Sequence, residues 1–231
     1  MMDEFVIMNA EDYQEICNAL RQVTNLDDTF TIGEILELTE DLSSSELEDD
    51  LMARTLTSIS NEHITTIRPY CFHSAKLTTV HFPNVKTIGT YAFYNCDGLT
   101  EISLPSATSI ADTGFRNCNN LNTLDCPVLK TVGNSTFREC IKLTTVNLSS
   151  ATKISNYGFN KCSALVTLIL RSSTLCSLTS TTAFTSTPIA SGDGYIYVPS
   201  ALIESYKTAT NWTTYANQFR AIEDYPEICG G

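Results

Sequence analysis

The sequence predicts a repeat solenoid: a β-rich array of short stacked strands, with a small helical module ahead of it and an α/β cap behind it. Three observations predict this. First, a motif recurs at a fixed step. "YAFYNCDGLTEISLP", "TGFRNCNNLNTLDCP", "STFRECIKLTTVNLS" and "YGFNKCSALVTLILR" place phenylalanine at 93, 115, 137 and 159, cysteine at 96, 118, 140 and 162, and leucine at 99, 121, 143 and 165, each series advancing by 22. Second, each copy holds a short run in which apolar and polar residues alternate with period two, the pattern of a strand with one buried face. Third, the outer copies are irregular: Phe72 precedes Phe93 by 21 residues and Phe184 follows Phe159 by 25. Solenoid ends meet water and depart from the repeat for that reason.

The alternation sets the inward residues: Val80 and Phe82, Ile102 and Leu104, Leu124 and Cys126, Val146 and Leu148, Leu168 and Leu170. One copy cannot cover such a face alone, but stacked parallel strands about 4.8 Å apart can. Each fully buried Phe or Leu contributes roughly 1.5–3 kcal/mol, so columns of them dominate the stability of the array. Pro83, Pro105 and Pro127 fall just past the strand ends, where no ladder hydrogen bond is lost. Upstream, "LTSIS" at 56–60 reads as a lone strand.

The pattern I-x-x-x-A-F-x-x-C-x-x-L-x-x-I-x-L-P resembles the BspA-like leucine-rich repeats. The resemblance covers roughly residues 54–190 and implies a leucine-rich-repeat solenoid in a family of mostly adhesion and interaction proteins. The sequence departs from the pattern at Ala75, which replaces the cysteine, and in the stretched "RSSTLCSLTSTT" after 170.

The ends do not repeat, which divides the chain into 1–53, 54–190 and 191–231. In the tail, "YIYVP" reads as a strand. Ser200 is a good N-cap for a helix over 201–209, and a second helix is expected over 212–219. In the head, Asn9 caps a helix over 10–23, Thr31 with Glu34 forms a capping box for a second, and Ser45 with Glu48 gives a third signal. The tail resembles the C-terminal cap of phage and prophage BspA-like proteins. "YQEICNALRQVTNLDDTFTIGEILELTEDL" is similar to the helical opening of tail-associated proteins of phages that infect low-GC Gram-positive bacteria.

The chain has 231 residues, 42% hydrophobic and 17% charged, a folded composition. Its net charge of −12 is uneven: residues 1–55 carry 15 acidic and 2 basic side chains, and the remainder is close to neutral. Phosphate backbones and anionic membranes call for clustered cations, so neither nucleic acid nor membrane insertion is expected. "MMDEFVIMNAEDY" has no basic n-region or long apolar run, and no stretch approaches the roughly 18–20 apolar residues of a span. Synthesis in the cytosol is expected.

Among candidate chemistry, the cysteine ladder comes first. Zinc needs four converging ligands, whereas Cys96, Cys118, Cys140 and Cys162 form a line, one per rung. Parallel Cβ atoms stay about as far apart as the strands, beyond the roughly 3.5–4.5 Å that a bridge prefers. The ladder is read as small buried hydrophobes, with Cys17 and Cys229 outside it and free. Nine cysteines cannot all pair within one chain. No G-x-S-x-G, P-loop or H-E-x-x-H motif is present, and His63, His73 and His81 have no nucleophile motif beside them. Asp97 and Glu101 lack the cleft that a glycosidase needs. Neither catalysis nor a cofactor or metal is expected.

Binding is the remaining chemistry. The outward strand positions form two columns: Thr79, Glu101, Thr123, Thr145 and Thr167 in one, His81, Ser103, Asp125, Asn147 and Ile169 in the other. A plain solvated strand face would also favour threonine. Tyr94, Arg116 and Arg138 form a further edge, with the two arginines stacked as like charges. Together with the resemblances at both ends, this reads as a phage virion component, tail- or capsid-associated. Its acidic head contacts other virion proteins or oligomerises, and its repeats meet a host-surface protein or glycan. The alternative is a bacterial or protist BspA-like adhesion module unrelated to phage. Its location is then cytoplasmic or reached by non-classical export.

Overall fold

The structure is a computed structural model that describes residues 30–31, 58–60 and 64–229. The helices expected over 10–23 and around Glu34 and Glu48 lie outside those residues.

The described strands are β1 (Phe30–Thr31), β2 (Ser58–Ser60), β3 (Thr66–Ile67), β4 (Thr79–His81), β5 (Thr87–Ile88), β6 (Glu101–Ser103), β7 (Ser109–Ile110), β8 (Thr123–Asp125), β9 (Thr131–Val132), β10 (Thr145–Asn147), β11 (Lys153–Ile154), β12 (Thr167–Ile169), β13 (Ser177–Leu178), β14 (Tyr195–Val198) and β15 (Phe219–Ala221). They alternate between two parallel sheets. One runs β1-β2-β4-β6-β8-β10-β12-β14-β15 and the other β13-β11-β9-β7-β5-β3. Register follows the sequence step: Thr123, Leu124 and Asp125 lie opposite Thr145, Val146 and Asn147, which lie opposite Thr167, Leu168 and Ile169. All the predicted inward residues are buried.

A third side closes each rung without strands. Alternate backbone amides bond across to the next rung, as in Phe93 N–H to the Gly114 carbonyl at 2.8 Å and Asn95 N–H to that of Arg116 at 2.9 Å. This zigzag needs left-handed residues at two positions per rung. Tyr91, Thr113, Ser135 and Tyr157 occupy one, and Asn95, Asn117, Glu139 and Lys161 the other, at φ between 54° and 66°. Asparagine tolerates that region. For the others the inter-rung bonds offset a cost of about 1–2 kcal/mol per residue.

Two columns run the length of the core. The rings of Phe72, Phe93, Phe115, Phe137, Phe159 and Phe184 stack with centroids 4.8–5.7 Å apart. Beside them stand the cysteines, fully buried as expected. Each thiol donates to the carbonyl of the phenylalanine one rung earlier: Cys96 to Phe72 at 2.9 Å, Cys118 to Phe93 at 3.1 Å, Cys140 to Phe115 at 3.2 Å and Cys162 to Phe137 at 3.0 Å. Those carbonyls also accept a backbone N–H within their own turn, so both lone pairs are used. Six thiols, Cys96, Cys118, Cys126, Cys140, Cys162 and Cys176, are free, while Cys71 is disulfide-bonded. The expectation for Cys17 and for the Cys229 side chain falls outside the described residues.

The C-terminal end is closed by α1 (Pro188–Ser191), α2 (Ile203–Thr208) and a 3-10 turn at Trp212–Tyr215, and an exposed turn of helix, α3 (Pro226–Cys229), follows β15. Phe184 packs tilted against Trp212 at 5.9 Å and meets Tyr215 edge-on, ending the aromatic column. The exposed backbone edge of the last rung is met by side chains. Trp212 Nε1 donates to the Cys176 carbonyl at 2.6 Å, the Tyr206 hydroxyl accepts from Cys176 N–H at 2.9 Å, Asn211 Nδ2 donates to the Leu178 carbonyl, and the Tyr215 hydroxyl to that of Thr181.

Three expectations are corrected here. Ser200 is not an N-cap: Pro199 stands there, a 3-10 turn covers Ser200–Leu202, and Ser200 N–H donates to the Glu223 carboxylate. The helix expected over 212–219 is a single turn followed by β15, because Phe219–Ala221 returns to pair with β14. Ile169, expected to face outward into water, is buried under Tyr197, Ile222 and Tyr225. The head also contributes one strand, β1, paired with β2.

Candidate functional site

The outward strand face is open over the central rungs and closed at its C-terminal end. His81, Glu101, Thr123 and Asp125 are exposed; Thr79, Ser103, Thr145, Asn147 and Thr167 are half-buried. The columns are cross-linked. Asn147 Nδ2 donates to Asp125 Oδ1 at 2.9 Å, and the Ser149 hydroxyl donates to Asn147 Oδ1 at 3.0 Å. Ile169 ends its column beneath Tyr225, so the face available to a ligand runs from His81 to Asn147.

Beside the first column lies a shallow depression of about 690 Å³, lined by Thr100, Glu101, Asn122, Thr123, Ile141 and Lys142 among others. Glu101 and Thr123 come from strand starts. Asn122 and Lys142 come from the loops ahead of β8 and β10. Its chemistry is mixed, with a carboxylate, an ammonium, amides and hydroxyls beside the exposed Ile141. A few convergent polar groups on a partly apolar floor suit a ligand that both stacks and hydrogen-bonds. Sequence reasoning found Glu101 and Thr123 from strand alternation. It missed Asn122, Ile141 and Lys142, because the depression forms between rungs and no single copy contains it.

The turn side carries the other predicted residues. Tyr94 stacks on His73 at 5.0 Å, and Tyr91 stacks on Tyr70 at 5.0 Å. The Arg116 guanidinium sits 5.8 Å from the Tyr94 ring centre, and that of Arg138 sits 5.6 Å from Tyr157. The arginines are not simply stacked like charges, as the sequence suggested. Glu139 lies between them, accepting from Arg116 Nε and Nη2 at 3.3 and 3.2 Å and from Lys161 Nζ at 2.8 Å, with Arg138 Nε at 3.6 Å. The Lys161 hydrogen bond first, with the charges of Arg116, Arg138 and Lys161, holds the Glu139 carboxyl below its ordinary range against partial burial. Glu139 went unnoticed in the sequence because its slot is Asn95, Asn117 or Lys161 in neighbouring copies.

The thiols do not form a chemical site. Burial pushes Cys96 up to about 12, which leaves no thiolate at neutral pH. Among the described residues, no group of His, Cys, Asp and Glu is arranged to hold a metal ion, and no helix is long and apolar enough to cross a membrane.

This architecture has known counterparts. A leucine-rich cell surface protein from Faecalibacterium prausnitzii is 26% identical over 68% of this chain and 42% of its own, with a TM-score of 0.47. A leucine-rich repeat protein from Bacteroides ovatus is 18% identical over 72% of this chain and 54% of its own, at 0.45. The pneumococcal vaccine antigen PcpA is 18% identical over 73% of this chain and 42% of its own, at 0.56. The chain thus spans about half the length of these structures or less. A comparison with curated proteins gives no match. The BspA type leucine rich repeat region matches residues 65–190 in six copies, a span that holds the six stacked phenylalanines from Phe72 to Phe184. With over half its length matched, the chain belongs to the BspA-type leucine-rich-repeat family.

Proposed function

We propose that this chain is a non-enzymatic binding protein that presents its repeat array to a host-surface protein or glycan. It does so as a phage virion component, tail- or capsid-associated, with the acidic segment 1–53 contacting other virion proteins or a second copy. The observation that carries the binding role is the open face from His81 to Asn147 with its polar depression, on an array whose C-terminal edge is covered by its own cap. The virion role rests on the likeness of both ends to phage proteins and on the charge split between residues 1–55 and the array. Mass spectrometry of purified particles tests it: the chain is expected among the virion proteins, and its absence would sink the virion role. Binding of the purified chain to host cells tests the face. Glu101→Ala with Lys142→Ala is expected to weaken it, and an unchanged affinity would remove the depression from consideration. The second reading, a bacterial or protist adhesion module, draws on the family match over 65–190, which does not involve the ends. Under it, particles lack the chain while cell binding persists.

A further inference from the structure

The turn side contains a cation cluster that the fold does not use up. Arg116, Arg138 and Lys161 surround one carboxylate, that of Glu139, which leaves an excess of two positive charges on four neighbouring side chains. Arg116 spends Nε and one Nη2 proton on Glu139 and keeps its remaining donors. The Arg138 side chain makes no hydrogen bond to any described residue, and its buried Nε has only the longer ion-pair contact to Glu139 Oε1 at 3.6 Å. A buried donor without a hydrogen bond costs about 1–3 kcal/mol, part of which the charge of the nearby Glu139 carboxylate offsets. Both guanidiniums lie against tyrosine rings, Arg116 on Tyr94 and Arg138 on Tyr157, which limits their rotamers before any ligand arrives.

We infer that Arg116 and Arg138 together bind one carboxylate or phosphate group of an acidic surface polysaccharide, with Tyr94 and Tyr157 as flanking walls. The two residues occupy the same slot on adjacent rungs, whose backbones stack about 4.8 Å apart, and both guanidiniums already reach the one Glu139 carboxylate, close enough to share a further anion. The same slot holds His73 and Tyr94 before them and Asn160 after, so the cation row is two residues long. The turn-side positions beside them include the half-buried Asn95 and Ser135, neutral hydrogen-bonding groups. One anion set among hydroxyl-binding groups matches a charged sugar. An acidic peptide, with charges repeating every residue or two, would call for a longer cation row. This inference rests on the binding role proposed above and names the chemistry of a second face, separate from the Glu101 depression.

Titration calorimetry of the full chain tests it with four probes: an oligogalacturonate, a phosphomannan oligosaccharide, a neutral dextran oligomer and a polyglutamate peptide. Saturable binding is expected to one or both acidic saccharides, and which one binds separates carboxylate from phosphate. No binding to dextran is expected. Arg138→Gln is expected to weaken binding between about ten- and a hundredfold, with Arg138→Lys recovering part of it. Unchanged thermal unfolding of both variants shows that the fold is intact. Failure of both acidic saccharides to bind, equal affinity for dextran, indifference to Arg138→Gln, or tighter binding of polyglutamate would each overturn the inference. The Glu101 and Lys142 variants leave the Arg pair intact, so loss of the depression's role and loss of this site read out separately.

Discussion

At the scale of single residues, the cysteine ladder answers to three demands at once. The slot is fully buried, it is small, and it faces the second lone pair of a phenylalanine carbonyl one rung upstream. Cysteine meets all three with a compact apolar body and a weak S–H donor. The exceptions follow the same logic. Ala75 keeps the slot small, apolar and buried in the first copy matched by the family pattern. Thr187 fills the slot in the last copy, where its hydroxyl donates to Phe184 of its own rung at 2.7 Å and accepts from Ala190 N–H to cap α1. The price of this ladder is sensitivity to alkali. Burial drives Cys96, Cys126 and Cys176 up to about 12, and pushes Cys118 and Cys162 well up as well. A thiol whose folded pKa is raised contributes stability that is fully present below its unfolded pKa, near 9, and is lost as pH rises through the folded value. Each such thiol is expected to cost about 1.4 kcal/mol per pH unit between those limits. Urea midpoints measured from pH 7 to 11 should fall steeply above 9, and Cys96→Ala should flatten the slope by one thiol's share; a flat profile would contradict the buried ladder. The 22-residue step made the ladder legible in the sequence. The hydrogen bond was not legible, because it joins residues 24 or 25 apart and depends on how one rung sits on the next.

At the scale of elements, the array depends on what stops it. Parallel strands at an edge present unpaired N–H and C=O groups, a template for further pairing. Here Trp212, Tyr206, Asn211 and Tyr215 cover that edge on the smaller sheet with side-chain donors and acceptors, while β15 adds a final strand to the larger one. Trp212→Phe keeps most of the packing against Phe184 but leaves the Cys176 carbonyl unpaired. A loss of about 1–3 kcal/mol is expected in urea unfolding. Hydrogen exchange should speed up first around β13 and Phe184 and leave the rungs near Phe93 protected. Uniform acceleration along the chain would show that Trp212 is not a local lock. The sequence announced that a non-repeating cap follows the array, and "YIYVP" was readable as its strand. The rest of the cap was not. Asn211 adopts φ 64°, which breaks the helical run, and "FRA" is too short to show a period, so only pairing with β14 makes it a strand.

At the scale of the whole molecule, stability is close to a sum over rungs and their interfaces, because each rung touches only its neighbours. The same property decides what sequence can say about function. Columns that repeat within one copy, such as Thr79, Glu101 and Thr123, can be placed from alternation alone. Features assembled from unlike side chains on successive rungs, such as Glu139 among Arg116, Arg138 and Lys161, exist only in the stack. A deletion experiment makes the argument quantitative. Removing residues 120–141 takes out one full 22-residue unit and joins Asn119 to Lys142, so every remaining column stays in register. The shortened chain is expected to fold cooperatively, with a lower urea midpoint and a smaller m-value in proportion to the surface removed. Deleting Val146 alone removes far less mass, but it slips β10 by one residue and turns Thr145 or Asn147 toward the core between Leu124 and Leu168. Burying such a group without a partner costs about 1–3 kcal/mol, on top of the lost valine packing and the misaligned ladder. The single-residue deletion should therefore be the less stable of the two, read by urea midpoint and by the soluble fraction after expression. If the chain lacking 22 residues were the one that failed to fold, its rungs would not be interchangeable units and the additive picture would be wrong.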